Sequence, residues 1–192
     1  MHFEKLNERH LPLVDAFCCV ESDAILSQYN SDQRRKIKKC SKEMEDFLKN
    51  EAFEEQKDGM NTTYLLIDER AEKILGYVSL CADAIKLEQQ EREDAHITYP
   101  SAPALKIARL AVNTSAMRRG FGKILIGFSA YQAQMIREYA GVFFITLDCY
   151  KHRVSFYESI GFQKNEIQPA QQLISMRLSL NDYLDNLNES EP

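Results

Sequence analysis

Two glycines separated by one residue lie within a basic stretch, Arg118-Arg-Gly-Phe-Gly-Lys123. An apolar run, Leu105 to Val112, precedes this stretch and stops at Asn113-Thr-Ser, which is a turn sequence. After it, apolar residues recur at helical spacing: Phe121, Ile124, Leu125, Phe128, Tyr131, Met135 and Ile136. The sequence therefore predicts a strand, a loop and a helix, with glycines at the helix entrance.

Such a loop can bind an anion. The first turn of a helix has backbone N–H groups without internal partners and a partial positive charge, and glycines let an anion approach them closely. Arg118, Arg119 and Lys123 add formal positive charge, which favours a phosphate or pyrophosphate ligand. Two familiar phosphate loops are excluded, because Ile124 follows Lys123 where Ser or Thr is needed, and Leu125 replaces the third glycine of G-x-G-x-x-G.

The loop, preceded by R-L-A-V, resembles the acetyl-CoA pyrophosphate loop of the GNAT family of N-acetyltransferases. That family's pattern is Q/R-x-x-G-x-G/A, and Met117 stands here at its first position. The segment Val154-Ser-Phe-Tyr-Glu-Ser-Ile-Gly-Phe162 is similar to the family's next motif, A-x-x-F-Y-x-x-x-G-F, with Arg153 at the alanine position. Two motifs in the family's order are more specific than either alone.

Upstream segments are similar to one branch of the family. Met44-Glu-Asp-Phe-Leu-Lys49, Thr63 to Asp68 and Ile74 to Leu80 look like the branch that includes tRNA-acetylating toxins of bacterial toxin–antitoxin pairs. The resemblance covers about residues 44–165. It implies acetyl-CoA as cosubstrate and an acceptor amine, which is either a small molecule, a peptide or the amino group of an aminoacyl-tRNA.

The resemblance also implies roles for individual residues. Acetyl-CoA would enter between parted strands four and five and hydrogen-bond to the backbone of Leu110, Ala111 and Val112. Its diphosphate would lie on the N–H groups of Arg118, Arg119, Gly120, Phe121, Gly122 and Lys123. The acceptor amine would attack the thioester directly in a ternary complex, and strand-four N–H groups would stabilise the oxyanion.

Tyr157 would donate a proton to the departing CoA thiolate as general acid. The alternative is that the Tyr157 ring only packs with Phe156 against the sheet. Asp148, Glu158 and a water chain are all open as the general base. For the loop itself, the alternative is a tight strand-to-helix turn that needs glycine for its geometry.

Composition limits the class of protein. The chain has 192 residues, 44% hydrophobic and 28% charged, which predicts one soluble domain. No stretch approaches the roughly 20 apolar residues of a membrane span, and no apolar signal core follows the N-terminus. Five cysteines without a C-x-x-C pair and four scattered histidines predict a reducing cytoplasm and no metal site. A net charge of −5 argues against non-specific nucleic-acid binding.

Periodicity predicts the other elements. Residues 63–68 and 74–81 form a hairpin signal, residues 104–112 and 142–148 are strands four and five, and residues 172–180 alternate as a final strand. Ser41 is a plausible N-cap for the helix that carries Met44 and Phe47. The predicted fold is a mixed α/β domain spanning 1–192, with a frayed tail at 181–192. Its twisted sheet has antiparallel N-terminal strands, parallel splayed strands four and five, and helices on both faces.

A basic run leaves the acceptor undecided. Arg34, Arg35, Lys38, Lys39 and Lys42 share a broad helix face. This face is either solvated and neutralised by nearby glutamates, or it tracks the phosphates of a tRNA substrate. Three further alternatives stay open: a non-catalytic acyl-CoA sensor, a nucleotide-binding protein that uses the loop for ATP, and assembly into a homodimer.

Overall fold

The computed structural model describes residues 1–169 and 173–188. The strands are β1 (His2–Lys5), β2 (Thr62–Asp68), β3 (Lys73–Lys86), β4 (Ser101–Val112), β5 (Phe144–Tyr150), β6 (Gln163–Lys164) and β7 (Leu173–Ser179). The helices are α1 (Leu11–Asp15), α2 (Ser31–Asn50), α3 (Ala52–Lys57), α4 (Gln89–Asp94), α5 (Phe121–Arg137), α6 (Val154–Glu158) and α7 (Leu180–Asn188). Short 3-10 turns at Glu8–His10, Thr114–Ala116 and Lys151–Arg153 precede α1, α5 and α6.

The strands form one mixed sheet in the order β1-β2-β3-β4-β5-β7-β6. Strands β1, β2 and β3 pair antiparallel, as the hairpin signal predicts. Strand β4 pairs with β5 in parallel, from Ala104 opposite Phe144 to Ile107 opposite Leu147. Both strands continue past this register, β4 to Val112 and β5 to Tyr150. The predicted mixed α/β sheet with parallel strands four and five is confirmed.

The helix that carries the basic run begins ten residues before the predicted N-cap. Asn30 is the N-cap of α2, and its side chain and that of Gln33 accept each other's backbone N–H groups in a capping box. Ser41 lies inside the helix, is buried, and donates its hydroxyl to Glu21. The prediction that Ser41 caps the helix was wrong. In the sequence alone, a buried serine that bonds a distant carboxylate cannot be distinguished from a capping serine.

The end of the described chain contains a helix that the sequence analysis did not predict. Residues 180–188 form helix α7, whereas 189–192 lie outside the described residues, and fraying of 181–192 stays a prediction. Leu180 is fully buried, and its backbone N–H donates to the Phe143 carbonyl at 3.1 Å. Arg137 donates to the Asn181 side chain at 2.7 Å. These two contacts hold the first turn of α7. Each joins residues far apart in the chain, so no local sequence pattern predicts either of them.

The residues group into two compact units. One comprises 1–80 with 109–125, and the other comprises 81–108 with 126–192. The first unit has a core around Tyr77, Phe17 and Phe47, and the Tyr77 hydroxyl donates to the Met44 carbonyl at 2.6 Å. The second has a core that includes Ile85, Leu87 and Phe144. The expected single domain stays a prediction.

Within residues 1–169 and 173–188, none of the helices has both the length and the apolar character that crossing a bilayer requires. All five cysteines are free thiols.

Candidate functional site

The predicted phosphate loop lies in the first unit and is anchored at its start. Asn113 is buried at the end of β4, and its backbone N–H donates to the Leu75 carbonyl at 2.8 Å. Its side-chain oxygen accepts from the Ser115 backbone at 3.1 Å and from the Ser115 hydroxyl at 2.9 Å. The Thr114 N–H donates to the Cys18 carbonyl at 2.8 Å. These bonds fix the point at which the chain leaves the strand.

The backbone of the loop has two left-handed residues. Arg118 has φ +59° and Gly120 has φ +85°, and a Cβ atom on Gly120 would meet no atom within 4 Å. The Gly120 carbonyl accepts from Lys123 at 3.0 Å and from Ile124 at 3.3 Å, which starts α5. The N–H groups of Phe121 and Gly122 precede those bonds, so they have no acceptor within the helix. Gly120 is therefore required for conformation, and the space beside it is open.

The positive charges around the loop are not neutralised. Arg118, Arg119 and Lys123 are exposed, and none forms a salt bridge within the part of the chain that the structure describes. Arg118 donates to the Ile25 carbonyl at 2.9 Å, and the Arg119 guanidinium carbon lies 5.3 Å from the Phe121 ring centroid. Three cations thus surround the free N–H groups, in the arrangement that suits a phosphate.

Gly76 on β3 is a residue that the sequence did not single out. A Cβ atom there would lie 2.9 Å from the Ala111 carbonyl oxygen and 2.9 Å from Leu125 Cδ1. Ala111 is buried, whereas Leu110 and Val112 are half-buried. The missing side chain thus lets β3 approach β4 and α5 closely beside the predicted acetyl-CoA strand. The signal in the sequence that could have identified Gly76 is an isolated glycine within a strand, which often marks a close approach of another backbone.

Tyr157 lies in the second unit, on α6. It is 9% exposed, and its ring packs edge-on against Phe156 at 5.1 Å and against Phe162 at 5.6 Å. Burial raises the pKa of Tyr157 well above its usual value, and the nearby Cys149 raises it further while Arg153 lowers it. The hydroxyl therefore keeps its proton at neutral pH, as a general acid must. The Tyr157 ring also packs against Phe156, which is the purely structural role given above as the alternative to catalysis.

The neighbouring groups are less suited to chemistry. Cys149 is buried, and burial raises the pKa of its thiol to about 11, so a thiolate nucleophile is disfavoured at neutral pH. Asp148 accepts from Lys106 at 2.6 Å, and Glu158 forms a salt bridge with Lys164 at 3.2 Å. Both carboxylates that were open as general base are therefore already paired with lysines.

Three of the five cations in the basic run on α2 pair with acidic side chains, whereas Lys39 is exposed and forms no salt bridge within the described residues. Lys38 pairs with Asp23 at 2.9 Å, and Lys42 with Asp46 at 2.8 Å. Arg35 lies 3.5 Å from Asp32, and the Arg34 guanidinium donates to the backbone carbonyls of Tyr29 and Ser27. An open cleft of about 640 Å³ is lined by Arg34, Arg35, Lys38 and their neighbours. The geometry favours the solvated, internally paired face over a free phosphate-tracking surface.

Among residues 1–169 and 173–188, no three His, Cys, Asp or Glu side chains are grouped so that they could hold a metal ion.

The family assignment comes from the sequence as a whole. The family model of the acetyltransferase (GNAT) domain matches residues 25–176, which is most of the chain. The chain belongs to the GNAT acetyltransferase family. The match includes both the glycine loop and the α6 motif, and it confirms the predicted family and enzyme class. No curated protein matches the sequence significantly.

Solved structures of bacterial toxins share the fold. AtaT complexed with acetyl-methionyl-tRNAfMet is 15% identical with a TM-score of 0.72, and the alignment covers 97% of this chain and 98% of that one. A tyrosine-to-phenylalanine mutant of KacT is also 15% identical with a TM-score of 0.72, over 96% and 98%. AtaTR bound with acetyl-CoA is 16% identical with a TM-score of 0.66, over 97% of each chain. At these identities the likeness establishes the fold alone.

Proposed function

We propose that this GNAT acetyltransferase transfers the acetyl group of acetyl-CoA to a primary amine by direct attack in a ternary complex. The observation that carries the proposal is the start of α5, where N–H groups without acceptors in the helix lie among three cations that have no acidic partner among the described residues. Diphosphate binding there would orient the rest of the cosubstrate along β4. Acetyl-CoA bound to the similarly folded AtaTR supports this choice of cosubstrate.

In this mechanism the N–H groups of residues 118–123 hold the diphosphate, and the backbone of Leu110, Ala111 and Val112 pairs with the pantetheine arm between parted strands. The acceptor amine forms a bond to the thioester carbonyl carbon, and strand N–H groups stabilise the negative oxygen. The C–S bond then breaks, and Tyr157 donates its hydroxyl proton to the sulfur. The attacking nitrogen loses one proton to water, and that proton returns to Tyr157, so the products are the amide and the CoA thiol. Its raised pKa keeps the hydroxyl protonated at the pH of the reaction, and it also makes Tyr157 a weaker acid than a tyrosine in water.

The first test measures binding by calorimetry. Arg119→Gln and Lys123→Gln should each weaken acetyl-CoA binding about tenfold, because each loses roughly one charge-assisted contact with the diphosphate. Lys86→Gln, an exposed lysine at the end of β3, is the matched control. Unchanged affinity in both loop variants would remove the diphosphate site from the proposal.

The second test measures CoA release with a panel of amines. Tyr157→Phe should lower the turnover rate by about 100-fold or more and leave acetyl-CoA affinity unchanged. Tyr131→Phe, an exposed tyrosine on α5, controls for the loss of a hydroxyl. Equal background hydrolysis in the wild type and in Tyr157→Phe would favour a non-catalytic acyl-CoA sensor. Stronger thermal stabilisation by ATP than by acetyl-CoA would favour a nucleotide-binding protein.

Aminoacyl-tRNA is the second candidate acceptor. It is favoured by the fold shared with AtaT, which was solved with acetyl-methionyl-tRNAfMet, and by the toxin–antitoxin branch that the sequence resembles. An antitoxin partner would accompany this role, as the antitoxin AtaR binds AtaT. Acetylation of aminoacyl-tRNA with a steep salt dependence would support it, whereas a salt-insensitive or absent interaction would exclude it. A homodimer stays a prediction that light scattering can check.

A further inference from the structure

A segment between α1 and α2 lies against the phosphate loop, and we call its residues 22–29 the strap. The strap belongs to no α-helix or strand. The Arg118 guanidinium donates through Nη2 to the Ile25 carbonyl of the strap at 2.9 Å. Just before the strap, the Cys18 carbonyl accepts from the Thr114 N–H at 2.8 Å. The loop that surrounds the predicted diphosphate site is therefore bonded to this segment at two points.

A second arginine holds the strap from the side of α2. Arg34 donates through Nε to the Tyr29 carbonyl at 2.8 Å and through Nη2 to the Ser27 carbonyl at 3.1 Å. Between the two arginines, Leu26 is 3% exposed and fixes the strap to the protein interior. Two arginines from different elements thus bind alternate carbonyls of one short segment. The strap connects Arg34 to the phosphate loop, which Arg34 does not itself contact through any printed bond of its guanidinium.

The position of Arg34 in its helix is unfavourable without these carbonyls. Arg34 is the fourth residue of α2, and a cation in the first turn of a helix meets the partial positive charge of the free N–H groups. Its neighbour Arg35 is 81% exposed and lies 3.5 Å from Asp32. Arg34 is instead half-buried and forms no salt bridge within residues 1–169 and 173–188. The strap carbonyls are thus the groups that its charge stabilises.

The backbone of Arg118 needs contacts that hold it. Its φ of +59° is uncommon for a residue with a Cβ atom, and such a conformation persists only where the surroundings enforce it. On one side, Met117 packs against the core that includes Phe17 and Cys19. On the other side, the side chain of Arg118 is bonded to Ile25. Loosening the strap would therefore remove one of the contacts that keep Arg118 in place.

The bond to the strap leaves Arg118 able to bind a phosphate. A guanidinium has five N–H donors, and the Ile25 carbonyl accepts from one of its nitrogens. The other donors can form charge-assisted hydrogen bonds to phosphate oxygens. An arginine side chain that is already held loses less conformational freedom when a ligand binds. The strap thus prepares Arg118 for an anion rather than occupying it.

We propose that Arg34 is a positioning residue for the cosubstrate. Through the carbonyls of Ser27 and Tyr29 it holds the strap, the strap holds Arg118 through Ile25, and Arg118 is thereby set to bind the diphosphate of acetyl-CoA. The inference rests on the proposed acetyltransferase function and assigns a role to one cation of the basic run on α2. Because coupling between two sites is reciprocal, diphosphate binding should in turn stabilise the strap.

The test measures acetyl-CoA affinity by calorimetry. Arg34→Gln should weaken binding about three- to fivefold, less than the loss of a direct phosphate contact, because only the preorganisation of Arg118 is lost. Arg35→Gln is the matched control, since it removes the same charge from the next residue, which does not bond the strap, and it should bind like wild type. Arg34→Lys, which keeps the charge and a donor, should restore part of the affinity.

Two further measurements distinguish positioning from a general loss of structure. In the Arg118→Gln background, Arg34→Gln should cause no further loss of affinity, because the strap no longer reaches the loop. In turnover with an amine, Arg34→Gln should raise KM for acetyl-CoA and leave kcat unchanged. Acetyl-CoA should also slow amide hydrogen exchange in residues 22–29 of wild type but not of Arg118→Gln.

The outcomes separate this inference from the proposed function. Equal affinities of Arg34→Gln and Arg35→Gln, or additive losses in the double variant, would show that Arg34 does not act through Arg118. Tighter binding by Arg34→Gln would show that the strap competes with the ligand. Each of these results overturns the positioning role while the proposed function stands, provided that wild type binds acetyl-CoA and acetylates amines. If wild type does not bind acetyl-CoA, both fail.

Discussion

The environment of Tyr157 is the structural feature most relevant to the proposed chemistry. Its side chain is nearly enclosed by Phe156, Phe162 and the Cys149 strand, and the enclosure raises its pKa. A tyrosine in water loses its proton near pH 10. The buried one keeps it at higher pH, so loss of this proton to solvent should not limit the enzyme under ordinary alkaline conditions.

The first prediction concerns the pH dependence of CoA release. Because the pKa of Tyr157 is raised, its acid form is fully present below pH 10 and is lost only above that value. The rate of CoA release at saturating amine should therefore not fall between pH 7 and pH 10 through deprotonation of Tyr157. Any decrease in that range should appear equally in wild type and in Tyr157→Phe. A falling limb with a midpoint near pH 8 or 9, present in wild type and absent from Tyr157→Phe, would contradict this role.

Glu91 gives a second prediction at the residue scale. It is buried, accepts from the Glu88 N–H at 2.9 Å and from the Glu166 N–H at 3.0 Å, and binds Arg177. Glu91→Gln leaves Arg177 without its countercharge, and breaking a buried pair typically lowers stability by about 3–5 kcal/mol. Urea unfolding should show this decrease, whereas the exposed Glu93→Gln should change stability by less than about 0.5 kcal/mol.

At the scale of elements, short-range patterns identified much of the fold. The loop and α5 follow from glycines at a change of periodicity, and the β2–β3 hairpin follows from two β-rich runs around a polar connection. Long-range contacts explain what was missed. The Ser41 hydroxyl bonds Glu21, Leu180 is buried beside Phe143, and Gly76 makes room for Ala111 and Leu125. No local pattern indicates those partners, nor the pairing of Lys38 with Asp23. The Arg35–Asp32 and Lys42–Asp46 pairs, by contrast, follow from i,i+3 and i,i+4 spacing on a helix.

The third prediction concerns the approach of β3 to β4. Gly76→Ala places a methyl group 2.9 Å from the Ala111 carbonyl oxygen, so backbone must shift, and overpacking of this kind lowers stability by about 1–3 kcal/mol. Acetyl-CoA affinity should fall as well, because Ala111 belongs to the proposed cosubstrate strand. Gly141→Ala is the matched control, since its nearest neighbour would be Pro103 Cγ at 3.6 Å. Equal stability and affinity in the two variants would contradict the expectation.

At the scale of the whole molecule, the distribution of charge separates two basic regions that look alike in the sequence. The chain has a net charge of −5. Carboxylates pair with Arg35, Lys38 and Lys42, whereas Arg34, Lys39 and the three cations at the start of α5 form no salt bridge in the described chain. The cations at the start of α5 also lie beside backbone N–H groups without acceptors in the helix, so the loop is the stronger anion site of the two.

The fourth prediction concerns the C-terminal helix. Leu180 is fully buried and Leu187 is 49% exposed, although both belong to α7. Leu180→Ala should lower the free energy of unfolding by about 2–5 kcal/mol, because it leaves a cavity in the core. Leu187→Ala should have a much smaller effect. Similar losses in the two variants, measured by thermal or urea unfolding, would show that α7 is not anchored as described.

The position of β7 has a consequence for synthesis of the protein. This strand lies between β5 and β6 and pairs with all seven residues of β5, from Phe144 to Tyr150. On the ribosome, β5 is made well before Leu173 emerges, so its outer edge stays without a partner until β7 has been translated. Exposed strand edges promote aggregation. The nascent chain should accordingly depend on chaperones in the interval between synthesis of β5 and synthesis of β7, and ribosome-bound fragments that end before β7 should be inactive.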